Sequence, residues 1–173
     1  MDREDVTAIL KDCGHFPEIG IDILVQQSLV TVDWKNKIGM HDLLRDMGRE
    51  IVRKKSIEGG KEPSRLWRYE DVLELLKDNS TLDVKGLSIK MSRMDSKVYL
   101  ETKAFKKMDK LRLLQLSGVQ LDGDYKYLSK ELKWLSWHGF PLKFIPADFY
   151  QDNLLAVDLK YSYLEQVWKK SQV

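Results

Sequence analysis

The stretch MHDLLRDMGREIVR, residues 40–53, decides how the first half of the chain folds. Its apolar residues Leu43, Met47 and Ile51 recur at every fourth position, which places them along one face of a helix. The arginines and acidic residues between them fall on the other faces. The pattern predicts an amphipathic helix with its apolar face buried.

His41 and Asp42 stand just before this helix. The first turn of a helix has unpaired backbone N–H groups and a partial positive charge, so it favours anions. A histidine at that place is a candidate contact for a phosphate. The alternative is an exposed linker residue, and the spacing alone does not decide between the two.

Two more helices are predicted upstream. Apolar residues at helical spacing indicate a first helix over residues 3–13, with Cys13 as a small core residue. Pro17 suits the first turn of a second helix, because that position needs no backbone N–H. The inward-facing residues of the second helix are expected to be Ile21, Leu24 and Val25.

A β-hairpin is predicted next, from residues 29–33 and 37–40 around a short turn. Two helices, a hairpin and the 40–53 helix together predict a winged-helix domain over residues 1–55. The basic run 53–55 is interpreted as the cationic end of a helix rather than as a nucleic-acid contact. Residues 56–80 are predicted to form a linker and a short helix.

The second half repeats a pattern. L-x-x-L-x-L or a close variant starts at Leu111, Leu132 and Leu154, with a weaker copy at Val84. A period of about 22 residues with this core is typical of leucine-rich repeats, whose apolar faces are buried only by stacking. Residues 81–173 are therefore predicted to form N-terminal leucine-rich repeats. The predicted fold class is α+β, a winged-helix domain followed by the start of a leucine-rich-repeat solenoid.

The charge, the cysteine content and the lengths of the apolar runs limit the kinds of function that the chain can have. Residues 1–80 carry 13 basic and 16 acidic side chains, and residues 81–173 carry 16 and 11, so neither half has the basic excess of a nucleic-acid binder. A single cysteine fits a reducing compartment, and no apolar run is long enough to span a membrane. The chain starts within a helical pattern and stops within a repeating one, so a fragment or truncated gene product is expected.

Several motifs occur together and in a fixed order. They are MHDLL at 40–44, MGREIV at 47–52, SRLW at 64–67, AFxxMxxLRLL at 104–114, LxWHGFPL at 135–142 and EQVWK at 165–169. In this combination the chain resembles plant intracellular immune receptors of the nucleotide-binding, leucine-rich-repeat class. It resembles in particular those receptors with an N-terminal Toll/interleukin-receptor-like domain.

The resemblance implies a regulatory role in plant defence and signal transduction. In that family the winged helix ends the NB-ARC nucleotide switch, with ADP in the resting state and ATP in the active one. The motif residues Met40, His41 and Asp42 would then face the nucleotide, with His41 sensing the ADP phosphate. Implied partners are the nucleotide-binding core in the same receptor and, through the repeats, a pathogen effector or host protein. The implied location is the cytoplasm, with the nucleus as an alternative.

The chain lacks other parts of that family. No G-x-x-x-x-G-K-[ST] phosphate loop occurs, and neither does a Toll-like domain. The chain alone is therefore expected to bind ADP poorly and to have no enzymatic activity. No catalytic or metal-ligand spacing is seen. The alternatives are a winged-helix nucleic-acid-binding module fused to repeats and a truncated decoy that does not signal.

The repeats contain candidate interaction residues. Trp137 occupies a core position of the repeat pattern, whereas Trp134 falls at a variable position and is the better candidate for an exposed contact. Lys133 and Lys160 add positive charge to the same region. They form either a solvated face or a contact with an acidic patch on the missing switch core. His138 is expected to pack between repeats.

Overall fold

The computed structural model divides into two compact units, Met1–Glu62 and Pro63–Val173. The division lies within the stretch 56–80 that the sequence predicts as linker and short helix. Each unit is described separately. The structure describes residues 1–59, 64–77, 83–91 and 98–165.

The described residues of the first unit form three helices and one hairpin. In chain order they are α1 (Arg3–Asp12), α2 (Pro17–Gln26), β1 (Thr31–Val32), β2 (Ile38–Gly39) and α3 (Asp42–Glu58). The two strands are antiparallel, with Thr31 opposite Gly39. Pro17 is the first residue of α2, as expected from its fixed φ and its missing N–H. The predicted helices and hairpin are confirmed.

The orientation of α3 differs from the prediction. Its apolar residues Leu43, Met47 and Ile51 are 74%, 54% and 47% exposed, so the prediction of a buried apolar face is wrong. The half-buried side of the helix instead includes Arg45 and Arg49. An amphipathic pattern shows which face of a helix favours burial, but not whether a neighbour lies against that face. Arginine can occupy a half-buried side because its aliphatic stem packs while its head group stays polar.

The core of the first unit is small. Ile21 is only 4% exposed, but Leu24 and Val25 are exposed, so two of the three residues predicted to face inward from α2 do not. Ile9 of α1, Pro17 of α2 and Val30 before β1 are the other buried apolar residues in the described part of this unit. Both helices are only ten residues long, and they bury few apolar side chains. Little apolar surface is therefore available to cover both sides of α2.

The exposure of α3 leads to a stability prediction. Leu43→Gln and Met47→Gln should each change the free energy of unfolding by less than about 0.5 kcal/mol, because exposed sites lose no packing and glutamine is a good helix former. Ile21→Ala, at a buried site, should cost about 2–5 kcal/mol. Urea unfolding followed by circular dichroism measures all three. A loss at Leu43 as large as the loss at Ile21 would mean that the apolar face of α3 is buried after all.

The second unit is built on a parallel sheet. Its elements are β3 (Arg65–Leu66), α4 (Tyr69–Lys77), β4 (Gly86–Lys90), β5 (Val98–Glu101), β6 (Leu113–Ser117), β7 (Val119–Asp122), β8 (Trp134–His138) and β9 (Ala156–Asp158). Two 3-10 turns lie at Thr102–Lys107 and Tyr125–Tyr127. Five strands pair in the order β3-β4-β6-β8-β9, all parallel, and β5 pairs with β7 in a separate parallel ladder.

Successive strands of the sheet follow the sequence period. Leu113 pairs with Trp134, and Trp134 pairs in turn with Ala156, so each step across the sheet is one copy of the pattern. The same backbone link recurs just before each strand, since Lys133 N–H donates to the Arg112 carbonyl and Leu155 N–H to the Lys133 carbonyl, both at 2.8 Å. Each copy of the predicted pattern therefore has its own strand, and the mixed helix and strand content is confirmed. Val167 and Trp168, which belong to the last copy and its closing motif, lie outside the described residues.

Trp137 lies at the centre of the second unit's core. Its side chain is fully buried, as predicted, and its Nε1–H donates to the Val119 carbonyl at 3.1 Å. The Phe140 ring meets it edge-on at 4.9 Å between centroids, and the Tyr125 ring stacks at 6.1 Å. The one polar atom of this large side chain is therefore satisfied inside an apolar core.

Tyr125 gives the core a dependence on alkaline pH. Burial, together with the nearby carboxylates of Asp148 and Asp122, raises the pKa of Tyr125 from 10.0 to about 12. Between these two values the unfolded chain releases a proton that the folded chain keeps, so stability should fall as pH rises from 10 to 12. Tyr125→Phe should reduce this fall, whereas Tyr161→Phe, at an exposed tyrosine, should not. Urea midpoints across this pH range measure the effect, and equal slopes for the two variants would contradict it.

Candidate functional site

His41 caps the start of α3. Its backbone carbonyl accepts a hydrogen bond from the Arg45 N–H at 3.0 Å, which begins the helical ladder. Its side chain turns back along the helix, so that Nδ1 lies 3.2 Å from the Leu43 backbone N and accepts its hydrogen bond. Serine, threonine, asparagine and aspartate usually perform this capping role with an oxygen atom. Here a histidine nitrogen performs it.

The cap determines which nitrogen of the neutral imidazole carries the proton. Because Nδ1 accepts a hydrogen bond, the neutral ring carries its proton on Nε2. His41 is exposed, so Nε2–H is the group that an anion approaching this end of the helix would meet. The neutral ring thus caps the helix through Nδ1 and carries an outward donor at Nε2.

The neighbours of His41 shape the same end of the helix. The Asp42 carboxylate lies 2.6 Å from the Arg45 guanidinium, and a negative charge in the first turn stabilises the helix dipole. The Met40 side chain is about half exposed. All three motif side chains lie at the surface, so they form an edge that a phosphate could contact from one side rather than an enclosed pocket.

The candidate interaction residues of the repeats have different environments. Trp134 is partly exposed on β8, and Lys160 is exposed, with its Nζ 3.2 Å from the Asp158 carboxylate. Lys133 is only 9% exposed, and its neighbour in the chain, Leu132, is fully buried. Of the three, Trp134 and Lys160 are the ones available to a partner at this surface.

The sheet brings together a polar cluster that sequence spacing did not single out. His138 Nε2 lies 3.5 Å from Ser136 Oγ and 3.4 Å from Asp158 Oδ2. A Ser-His-Asp relay uses the two ring nitrogens separately, whereas both contacts here use Nε2, so the cluster is not a catalytic triad. The repeat register that pairs Ser136 with Asp158 is the signal that could have revealed it.

Asp158 stays ionised in this cluster. Its partial burial acts to raise the pKa, but hydrogen bonds from Lys160 and His138 outweigh it and hold the pKa of Asp158 below the ordinary 3.8. His138 therefore contacts the neighbouring strand through the charged carboxylate of Asp158, and Lys160 pairs with the same carboxylate.

The described residues contain no group of three histidine, cysteine, aspartate or glutamate side chains that could hold a metal ion. Nor do they include a helix with the length and apolar character needed to cross a membrane.

Comparison with known proteins gives a family match for the first unit and similar curated proteins for most of the chain. Residues 1–56 match the family described as "Disease resistance protein Roq1-like, winged-helix domain". Similar curated proteins include the disease resistance proteins RRS1B and RPP2B of Arabidopsis thaliana, at 30% and 32% identity over 94% and 95% of the chain. Disease resistance protein RUN1 of Vitis rotundifolia is 32% identical over 96% of the chain.

These relatives are much longer than the chain. The matched region covers 13% of RRS1B, 14% of RPP2B and 15% of RUN1. The similarity nevertheless runs through both units, from the winged helix into the parallel sheet. Residues 1–56 are thus a winged-helix domain of the Roq1-like type, and the chain is homologous over most of its length to plant disease resistance proteins.

Proposed function

We propose that this chain is a regulatory, non-catalytic part of a plant immune receptor that acts in defence signalling. Its first unit would be the end of an ADP/ATP-dependent NB-ARC switch, and its second unit the start of a leucine-rich-repeat array. The observation that carries the proposal is the winged-helix match at residues 1–56, joined in one chain to similarity with disease resistance proteins over more than nine-tenths of its length.

In this proposal His41 contacts the diphosphate of ADP in the resting receptor. The supporting geometry is the Nδ1 cap, which leaves Nε2–H as an outward donor at the positive end of α3. Asp42 would hold the motif in place through its ion pair with Arg45, and Met40 would lie beside the nucleotide. The two states of the switch would differ in the phosphate charge of the bound nucleotide. ADP would stabilise the closed packing, and exchange for ATP would shift the population away from it.

The second unit would connect the switch to recognition. Its strands recur once per copy of the sequence pattern, as leucine-rich repeats require. Trp134 and Lys160 are the proposed contacts, either with an acidic patch of the nucleotide-binding core in the same receptor or with an effector or host protein. The proposed location is the cytoplasm or the nucleus, where the single cysteine, Cys13, would stay reduced.

A calorimetric titration of ADP into the chain tests the limits of this site. A hydrogen bond to a charged group contributes about 1.5–3 kcal/mol, less than the roughly 4 kcal/mol that corresponds to a Kd of about 1 mM. We therefore expect no binding tighter than about 1 mM, both for the chain and for a His41→Ala control. Micromolar binding would show that the described edge holds the nucleotide by itself. Salt-sensitive binding to duplex DNA in a parallel titration would favour a nucleic-acid role instead.

A further inference from the structure

A serine stands directly after the basic run 53–55, close to the end of α3. The three basic residues RKK immediately precede Ser56, and no other serine or threonine of the chain has three consecutive basic residues before it. Cations suit the negative end of a helix, and Lys55 lies in the last turn of α3. That role accounts for the charges, but not for the hydroxyl group that follows them.

The position of Ser56 makes its hydroxyl group accessible. Lys54 and Lys55 are exposed, Ser56 is half-buried, and α3 ends two residues later at Glu58. The carbonyl groups of a final helical turn have no partner further along the helix, so this turn opens at a lower cost in free energy than the middle of the helix. An enzyme that needs an extended chain around the serine therefore reaches it most easily here.

The present contacts of Ser56 stay within the helix. Its Oγ–H donates to the Val52 carbonyl at 3.2 Å. Arg53, one turn earlier, donates to the Glu50 carboxylate through two hydrogen bonds of 3.0 and 2.8 Å. A serine that bonds back to the carbonyl four residues before it adds little to the stability of a helix. Chemical modification of this oxygen is therefore compatible with the fold of the first unit.

We propose that Ser56 is a phosphorylation site for a basophilic protein kinase, and that the phosphate opens the last turn of α3. A basophilic kinase selects cations just before the acceptor serine, and residues 53–55 supply them. The Ser56 oxygen forms a bond to the γ-phosphorus of ATP, the bond from that phosphorus to ADP breaks, and the hydroxyl proton passes to the catalytic carboxylate of the kinase. The inference goes beyond the proposed immune function and does not depend on it.

The phosphate acts on α3 in three ways. It carries a charge of about −1.5 to −2 at the negative end of the helix, where an anion is unfavourable. It also removes the hydrogen that Ser56 Oγ donates to the Val52 carbonyl. Finally, it lies three residues after Arg53, as Glu50 lies three residues before it, and it competes with Glu50 for the guanidinium. The first two effects weaken the last turn, and the third exchanges one ion pair for another.

Phosphorylation of the full chain tests the site. The chain is incubated with ATP and the catalytic subunit of cyclic-AMP-dependent protein kinase, a basophilic kinase, and mass spectrometry locates the phosphate. We expect Ser56 to be the main site, so Ser56→Ala should abolish most of the incorporation. Ser64→Ala, at a serine without a basic run before it, should not. The double change Arg53→Gln and Lys54→Gln should slow incorporation at Ser56 about tenfold or more, because two charged contacts are lost. Incorporation mainly at other residues, or none, would overturn the proposal.

Hydrogen exchange on the phosphorylated chain tests the effect on α3. We expect the amides of residues 56–59 to exchange about fivefold faster or more, while the amides of α1 stay unchanged. The matched control is the Ser56→Ala variant, whose exchange should be the same with and without kinase treatment. Unchanged exchange at the end of α3 after phosphorylation would refute the opening of the last turn. Slower exchange would refute it as well, by showing that the phosphate stabilises the helix through Arg53.

Discussion

Trp137→Ala should unfold the second unit or leave it close to unfolding. The side chain is fully buried, contacts Phe140 and Tyr125 and donates a hydrogen bond to the Val119 carbonyl. Removing a buried tryptophan typically costs about 3–5 kcal/mol, which is a large share of the roughly 5–15 kcal/mol that stabilises a domain. The indole contacts residues of its own repeat copy and of the copy before it, so its loss should affect both.

Trp134→Ala is the matched control for this effect. The two tryptophans are on the same strand, but Trp134 is partly exposed, and its truncation should cost less than about 1 kcal/mol. Chemical unfolding of the two variants, followed by tryptophan fluorescence, gives both values. If the two truncations cost the same, Trp137 is not the centre of the core.

Gly123→Ala is expected to be the second most damaging of the changes considered in the second unit. Gly123 follows β7 with a φ of +102°, a conformation that an L residue adopts only with strain. A Cβ atom there would also lie 2.7 Å from Thr102 Oγ1. Thr102 is fully buried and donates to the Asp122 carbonyl at 3.1 Å, so it has little freedom to move away. We expect a loss of about 2–3 kcal/mol in the free energy of unfolding.

Gly139→Ala separates the two causes. Gly139 also has a positive φ, +76°, but a Cβ there would meet no atom within 4 Å. This control should therefore lose only the backbone contribution, about 1 kcal/mol. Thermal unfolding of the two variants gives the difference between them. An equal loss would remove the contact with Thr102 from the explanation.

The sequence predicted the local elements well, because their signals are local. Pro17 marks the start of α2, and the spacing of the repeated pattern gives β6, β8 and β9. Whether a helix face is buried depends on residues that are distant in the sequence, so burial was predicted less well. The stripe at Leu43 has strong helical periodicity, yet it faces away from the small core around Ile21.

The candidate site shows the same division. The place of His41 at a helix start follows from the sequence, because the apolar pattern begins just after it. Its Nδ1 cap does not, because the choice of ring nitrogen depends on the side-chain rotamer and the backbone of Leu43. The contact of His138 with Asp158 could be predicted only in part. The repeat period gives the strand register, but not the orientation of the imidazole ring.

The proposed role of His41 is tested most directly by the ADP affinity of a longer receptor. In this hybrid, residues 1–173 replace the matching segment of RUN1, and ADP is titrated into it with histidine or alanine at position 41. The proposal predicts that His41→Ala weakens ADP binding about tenfold or more, equivalent to about 1.4 kcal/mol, while His15→Ala at an exposed loop leaves it unchanged. Equal ADP affinity with histidine and alanine at position 41 would contradict the proposal.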